Sequence, residues 1–159
     1  MNDSTLRFLG AIAIVAIVNL PTLADAAAPA GRYVVTAGGT NKGIVYDTKT
    51  KLTWQQEVQS NYTWADAKTT YCPGVGSILG GSGWRLPTLK ELYTIIDFSM
   101  SDAPRIDASA FPGMPTDTSA YFWSASPKSG SSNGAWGLDI GGLVQGFWVD
   151  NTAYVRCVR

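Results

Sequence analysis

Histidine is absent from the 159-residue chain, and that one fact removes most of the side-chain chemistry open to a small protein. A Ser-His-Asp or Cys-His nucleophile, a histidine-ligated zinc and a histidine pH switch are all excluded. The remaining groups are two cysteines, 12 carboxylates, 12 lysines and arginines, and six tryptophans. Asp3 and Asp25 lie in the N-terminal segment, and nothing in the spacing of the other carboxylates pairs two of them for general acid and base work. Asp97, Asp102 and Asp107 recur at every fifth residue, which fits no EF-hand loop. Gly130-Ser131-Ser132-Asn133-Gly134 spells GxSxG. Without histidine, and in a polar loop rather than a strand-to-helix turn, it is a chance match. The Gly-rich stretch over 73–83 lacks both GxGxxG and a GK[ST] ending, so no phosphate cradle is expected. The chain reads as non-enzymatic, with no metal and no cofactor.

The tryptophans open a different chemistry, because an indole face packs against the apolar face of a pyranose ring. Trp54, Trp64, Trp84 and Trp123 fall inside structural patterns and are assigned to packing, whereas Trp136 and Trp148 are open between core and surface. Trp148-Val149-Asp150-Asn151, the loop PKSGSSNG with Lys128, and Arg105 on another loop supply an aromatic platform, a carboxylate, an amide and two cations. Trp148, Asp150, Asn151, Lys128 and Arg105 are therefore the candidate ligand-binding residues, suited to carbohydrate hydroxyls or sulfates. Asp and Asn in a turn serve backbone geometry equally well. Arg85 and Arg156 read as structural bridges.

These residues need a scaffold, and the composition supplies one. Apolar residues make up 45% of the chain against 15% charged, enough for a core. The formal net charge of zero argues against a general nucleic-acid partner. Short extended runs (YVVT, IVYD, LTW) separated by turn residues predict an N-terminal β region. Thr63, followed three residues on by Asp66, predicts a capped helix over about 64–71 with Trp64, Ala67, Tyr71 and Cys72 on its apolar face. The Gly-rich 73–83 reads as a connector. Thr88 and Glu91 form a capping box for a second helix over about 89–97, its start sharpened by Pro87. Residues 99–119 read as an ordered loop pinned by Ile106, Phe111 and Met114. The remainder reads as strands, with Gly141-Gly142 and Asp150-Asn151 as hairpin turns. The sum is an α+β domain with one antiparallel sheet.

Residues 1–26 have the layout of a secretory signal peptide: a short n-region with Arg7, an apolar run from Phe8 to Val18 and small residues at Ala24 and Ala26, with the cut after Ala26. The run is about half of the roughly 20 residues that span a bilayer, so no permanent membrane anchor is expected. One domain over 27–159 then remains, exported to the periplasm, the cell surface or the medium. Cys72 and Cys157 have no metal-like spacing. In an oxidising compartment they should pair, closing a long loop for about 4.5 kcal/mol in the chain-entropy model; the alternative is two separately buried thiols.

The order of elements resembles the Lcl C-terminal domain family. The matching residues are DTKTKLTW at Asp47 to Trp54, WADAKTTYC at Trp64 to Cys72, GWRLPTLKEL at Gly83 to Leu92, FWSAS at Phe122 to Ser126 and YVRCV at Tyr154 to Val158. Lys51 stands where such domains usually carry Gly, so a different turn is expected there. WRLPT also looks like formylglycine-generating-enzyme domains, and a helix-to-last-strand disulfide looks like C-type lectin domains. The resemblance implies a C-type-lectin-like fold, a small antiparallel sheet with two flanking helices and one disulfide. It also implies a bacterial surface or secreted recognition domain of the adhesin kind, taking glycans or other extracellular polymers, with protein partners and a purely structural role as the alternative. The EPN, QPD and WND tripeptides of calcium-dependent lectins are absent, so binding is expected without calcium. The two cysteines, spent on a bridge, leave none for formylglycine-type redox chemistry.

Overall fold

The computed structural model describes residues 28–38 and 43–159; the expected signal peptide lies outside the described residues. Strands β1 (Tyr33–Thr36), β2 (Ile44–Asp47) and β3 (Thr53–Gln55) form an antiparallel three-stranded sheet in that order. The β2–β3 turn is built by Asp47, whose Oδ1 accepts the backbone N–H of Lys49 at 2.9 Å and of Thr50 at 3.3 Å. Lys51 closes it with φ of 65°. That left-handed conformation is the one glycine adopts without strain, so the lysine occupies a position suited to glycine. Asp47 is buried and ion-paired to Arg32 at 2.9 Å, and Arg32 also donates to the Thr94 carbonyl. Burial pushes the Asp47 carboxyl up, but Arg32 and the Lys49 N–H together hold it below its usual value.

A second sheet has the order β4-β8-β5-β6-β7, from β4 (Gln59–Thr63), β5 (Tyr121–Pro127), β6 (Gly134–Asp139), β7 (Val144–Trp148) and β8 (Thr152–Val155). The α+β class stands, with two sheets in place of one and a parallel β5–β8 pair among antiparallel neighbours. Gly141-Gly142 does join a hairpin, β6 to β7. Asp150-Asn151 does not: it leads from edge strand β7 across β6 and β5 to β8. The chain beyond β8 stitches the sheets together. Thr53 and Arg159 exchange backbone hydrogen bonds at 2.8 and 2.9 Å, and Arg85 and Val158 do so at 2.9 Å each.

Thr63 caps the first helix as expected, accepting the Asp66 N–H at 3.2 Å. The helical path then departs from expectation: α1 (Trp64–Asp66), a π-helical turn (Ala67–Tyr71), α2 (Cys72–Gly74) and α3 (Gly76–Leu79) follow one another almost without a break. The wider π turn lets Ala67 and Cys72, five residues apart, both bury completely. The predicted connector is helical because Cys72, Val75 and Leu79 recur at helical spacing on the core side. Burial of that face outweighs the low helix propensity of the glycines. Helix α4 (Leu89–Thr94) carries the full capping box, and Glu91 also forms a two-armed ion pair with Arg85 at 2.6 and 2.8 Å. The Arg85 hydrogen bonds are the main reason the Glu91 carboxyl is held down at about 2.

The five-stranded sheet is covered on both faces, and the C-terminal segment shows the alternation most directly. Ala153, Val155 and Cys157 enter one core with Ala67, Cys72, Leu79, Trp84 and Trp123, while Tyr154 and Val158 face the other, with Val45, Trp54, Leu92, Ile106, Phe111 and Phe122. Cys72 and Cys157 are bonded, with Cα atoms 5.4 Å apart, inside the first of these cores. Residues 99–119 are pinned as expected by Ile106 and Phe111, both buried, with Met114 half-buried beside them. Among the described residues no helix is long and apolar enough to cross a membrane.

Candidate functional site

Strands β6 and β7 pair Gly134 with Trp148 and Trp136 with Gly146. All four side-chain positions therefore lie on one face of the sheet, with the two indoles diagonal to each other and each opposite a glycine. Further along the same face Leu138 and Val144 turn into the core, so the two tryptophans stand where that core ends. Trp136 is half-buried and Trp148 is 64% exposed, the most open of the large apolar side chains described.

Lys128 crosses between them. Its stem lies on Gly146, where an added Cβ would stand 2.7 Å from Lys128 Cδ, and its ammonium is 5.7 Å from the centre of the Trp136 ring. A side chain at 146 would push the Lys128 stem aside. Gly134 is similarly close to Ser131, whose Oγ lies 2.9 Å from the site of a missing Cβ. The result is a shallow trough of about 160 Å³ lined by Lys128, Ser131, Gly134, Gly146, Phe147 and Trp148. It offers an aromatic face, a cation over apolar stems and a hydroxyl.

The five candidate residues divide. Lys128 and Trp148 meet in the trough. Asp150 sits at its end, its carboxylate accepting from Asn133 Nδ2 at 3.3 Å, while Val149 N–H donates to the Asn133 carbonyl at 3.3 Å. Asn151 does not line the trough; it lies beside Tyr121, whose ring stacks at 3.5 Å on Phe147, which points to the opposite face from Trp148. Arg105 is not at the trough at all. Its guanidinium donates to the Ser101 carbonyl at 3.1 Å and the Gly141 carbonyl at 3.4 Å, beside the far turn of the β6–β7 hairpin. The four strand steps from Val144 to Trp148 alone separate the two ends by about 13 Å.

Trp136 and the glycines at 134 and 146 are the partners that residue-by-residue reading left out. A register of Trp opposite Gly across a Gly141-Gly142 turn is the signal that reveals them. The other tryptophans pack, as expected: Trp54, Trp84 and Trp123 are buried and the half-buried Trp64 donates its N–H to the Ser124 carbonyl at 2.7 Å. Asp97 and Asp107 are engaged in Asp-x-Ser turns, each Oδ1 accepting the N–H of the serine two residues on, Ser99 and Ser109, at 2.9 Å. Among the described residues no three acidic or cysteine side chains cluster as metal ligands. Arg156 is fully buried, donating to the Gln55 and Gln56 carbonyls at 3.1 and 2.5 Å. Burial pulls its pKa down to about 9, so it stays charged at neutral pH.

No curated protein matches the chain. The model of the Lcl C-terminal domain matches residues 43–159, from just before β2 through the last residue, leaving β1 ahead of the matched region. With that match over most of its length, the chain belongs to the Lcl C-terminal domain family.

Proposed function

We propose that this protein is an exported, non-enzymatic recognition domain that binds glycans or other extracellular polymers, without calcium, through the trough of Lys128 and Trp148. The observation that carries the reading is the exposure of Trp148 beside Lys128, with Trp148 opposite Gly134 and the Lys128 stem over Gly146. An exposed indole gains by stacking on a sugar ring, and an ammonium close by supplies a charge-assisted bond to hydroxyl, carboxylate or sulfate. The disulfide favours an oxidising compartment and so supports export. Kinship with C-type-lectin-like domains belongs to the same proposal, resting on a bridge that ties the first helical path to the chain end. Trp148, Lys128 and Asp150 are the contact residues we assign, with Trp136 beneath Lys128 as its support.

A second reading, a protein-interaction module without a small ligand, is favoured by one feature at the other end of the hairpin. There Tyr93 and Phe98, with ring centres 5.4 Å apart, and Leu143 expose a cluster of apolar surface. Glycan-array binding of the wild type, Trp148→Ala and Lys128→Ala, with and without a chelator, separates the two. We expect Trp148→Ala to weaken binding about tenfold. The chelator should have no effect. Binding that survives both substitutions, or that vanishes with the chelator, refutes the trough or its metal independence. A folded wild type that binds nothing supports the interaction module.

A further inference from the structure

At the opposite edge of the five-stranded sheet from the trough, β4 and the helical path border an open hollow of about 490 Å³. Tyr62, Asp66, Thr70, Tyr71, Val75 and Ile78 line it. Tyr62 and Tyr71 stack at 4.4 Å to form an aromatic slab, and Ile78, 50% exposed, stands as an apolar wall beyond it.

The polar groups here have a definite sense. Gln55 Oε1 accepts the Cys157 N–H at 3.2 Å, so it is the Gln55 Nε2 that donates to Tyr71 Oη, at 2.7 Å. Tyr71 Oη is thereby an acceptor towards the core, and its own hydrogen is free to donate into the hollow. Burial raises the Tyr71 pKa, which keeps that hydrogen in place. Asp66 is the one charged side chain on the lining. Its Oδ2 accepts from the Thr63 hydroxyl at 2.8 Å, and it belongs to neither of the ion pairs among the described residues. Lys68, two residues on, is drawn to the Trp64 ring instead, its ammonium 4.5 Å from the centre.

We propose that this hollow is a docking groove for an extended peptide carrying a lysine or arginine next to an apolar residue. The cation meets Asp66 while its stem crosses the Tyr62–Tyr71 slab, a peptide carbonyl accepts from Tyr71, and the apolar side chain packs on Val75 and Ile78. The unpaired carboxylate supplies the charge complementarity, and the aromatic slab reinforces it through cation–π attraction. A neutral saccharide brings neither the positive charge nor the branched apolar group that these walls call for.

The test uses the intact protein and two short labelled peptides, one alternating lysine with leucine and the other glutamate with leucine, followed by fluorescence anisotropy. The lysine peptide should bind saturably, and the glutamate peptide about tenfold more weakly or not at all. Asp66→Asn, which keeps an acceptor for Thr63, should weaken the lysine peptide about fivefold, and Ile78→Ser by a similar factor. Trp148→Ala should leave peptide binding unchanged, which separates this groove from the glycan trough. Equal affinity for the two peptides, no saturable binding, indifference to both groove substitutions, or displacement by a neutral oligosaccharide overturns the proposal. Loss of peptide binding in Trp148→Ala also overturns it, by placing the peptide in the trough.

Discussion

The two faces of the five-stranded sheet are closed by different means. On one face, the helical path from Trp64 to Leu79 is bonded covalently to the chain end through Cys72 and Cys157, and small residues such as Ala67, Ala135 and Ala153 let the layers approach. On the other face no covalent link exists. There Phe111 is clamped between the edge of Tyr33, with ring centres 5.1 Å apart, and the buried guanidinium of Arg156, 4.6 Å from its centre. Tyr33 is held in turn by β1, anchored through the Arg32–Asp47 ion pair and the Thr94 carbonyl. A cross-link limits the freedom of the unfolded chain, whereas a packed ring acts in the folded state alone. The irregular loop 99–119 thus depends on side-chain packing for its order, while the helical path opposite, glycine-rich as it is, has the bridge behind it.

That contrast can be broken at three points. Phe111→Ala should destabilise most, by about 3–5 kcal/mol, since it opens a cavity and strips Arg156 of the ring it covers. Urea unfolding measures it, and a loss below about 1 kcal/mol would show that the loop face does not hang on this ring. Cys157→Ser should cost about 2–5 kcal/mol, and reduction of the wild type should cost a similar amount. Intact-mass analysis under alkylation accompanies it; two alkylatable thiols in unreduced protein would refute the bridge. The smallest effect has the opposite sign. Lys51→Gly should stabilise by about 0.5 kcal/mol, because relief of about 1 kcal/mol of left-handed strain is offset in part by the greater freedom of glycine in the unfolded chain. A loss of stability instead would mean that the lysine contributes more than its backbone strain costs.

Much of the fold was legible because it is written in short-range signals. The Thr63 and Thr88 caps, the strands at Tyr33, Ile44 and Tyr121, and the pinning of the loop by Ile106 and Phe111 depend on spacing within a few residues. The helix over 73–79 was not legible, since glycines there argue for a connector until Val75 and Leu79 are seen facing Trp84 and Trp123. Nor was the path of Asp150-Asn151: a turn signal marks where a chain bends and is silent about which strand it joins next. The candidate site divides on the same line. Trp148 and Lys128, eligible by residue type, do converge, whereas Arg105, equally eligible, belongs to the far turn.

What the sequence by itself determined is the inventory and the local code. It excluded histidine chemistry, left two cysteines to pair, placed the caps, and carried the family's motifs in order. Tertiary structure alone decided the insertion of β8 between β4 and β5, the placing of Lys128 over Gly146 between Trp136 and Trp148, and the hollow beside Asp66. The physical reason is range. Caps, turns and periodicity act over a few bonds and leave their mark in neighbouring residues, whereas strand order and surface hollows arise from contacts between segments far apart in the chain, where many residue pairs are chemically eligible and packing selects among them.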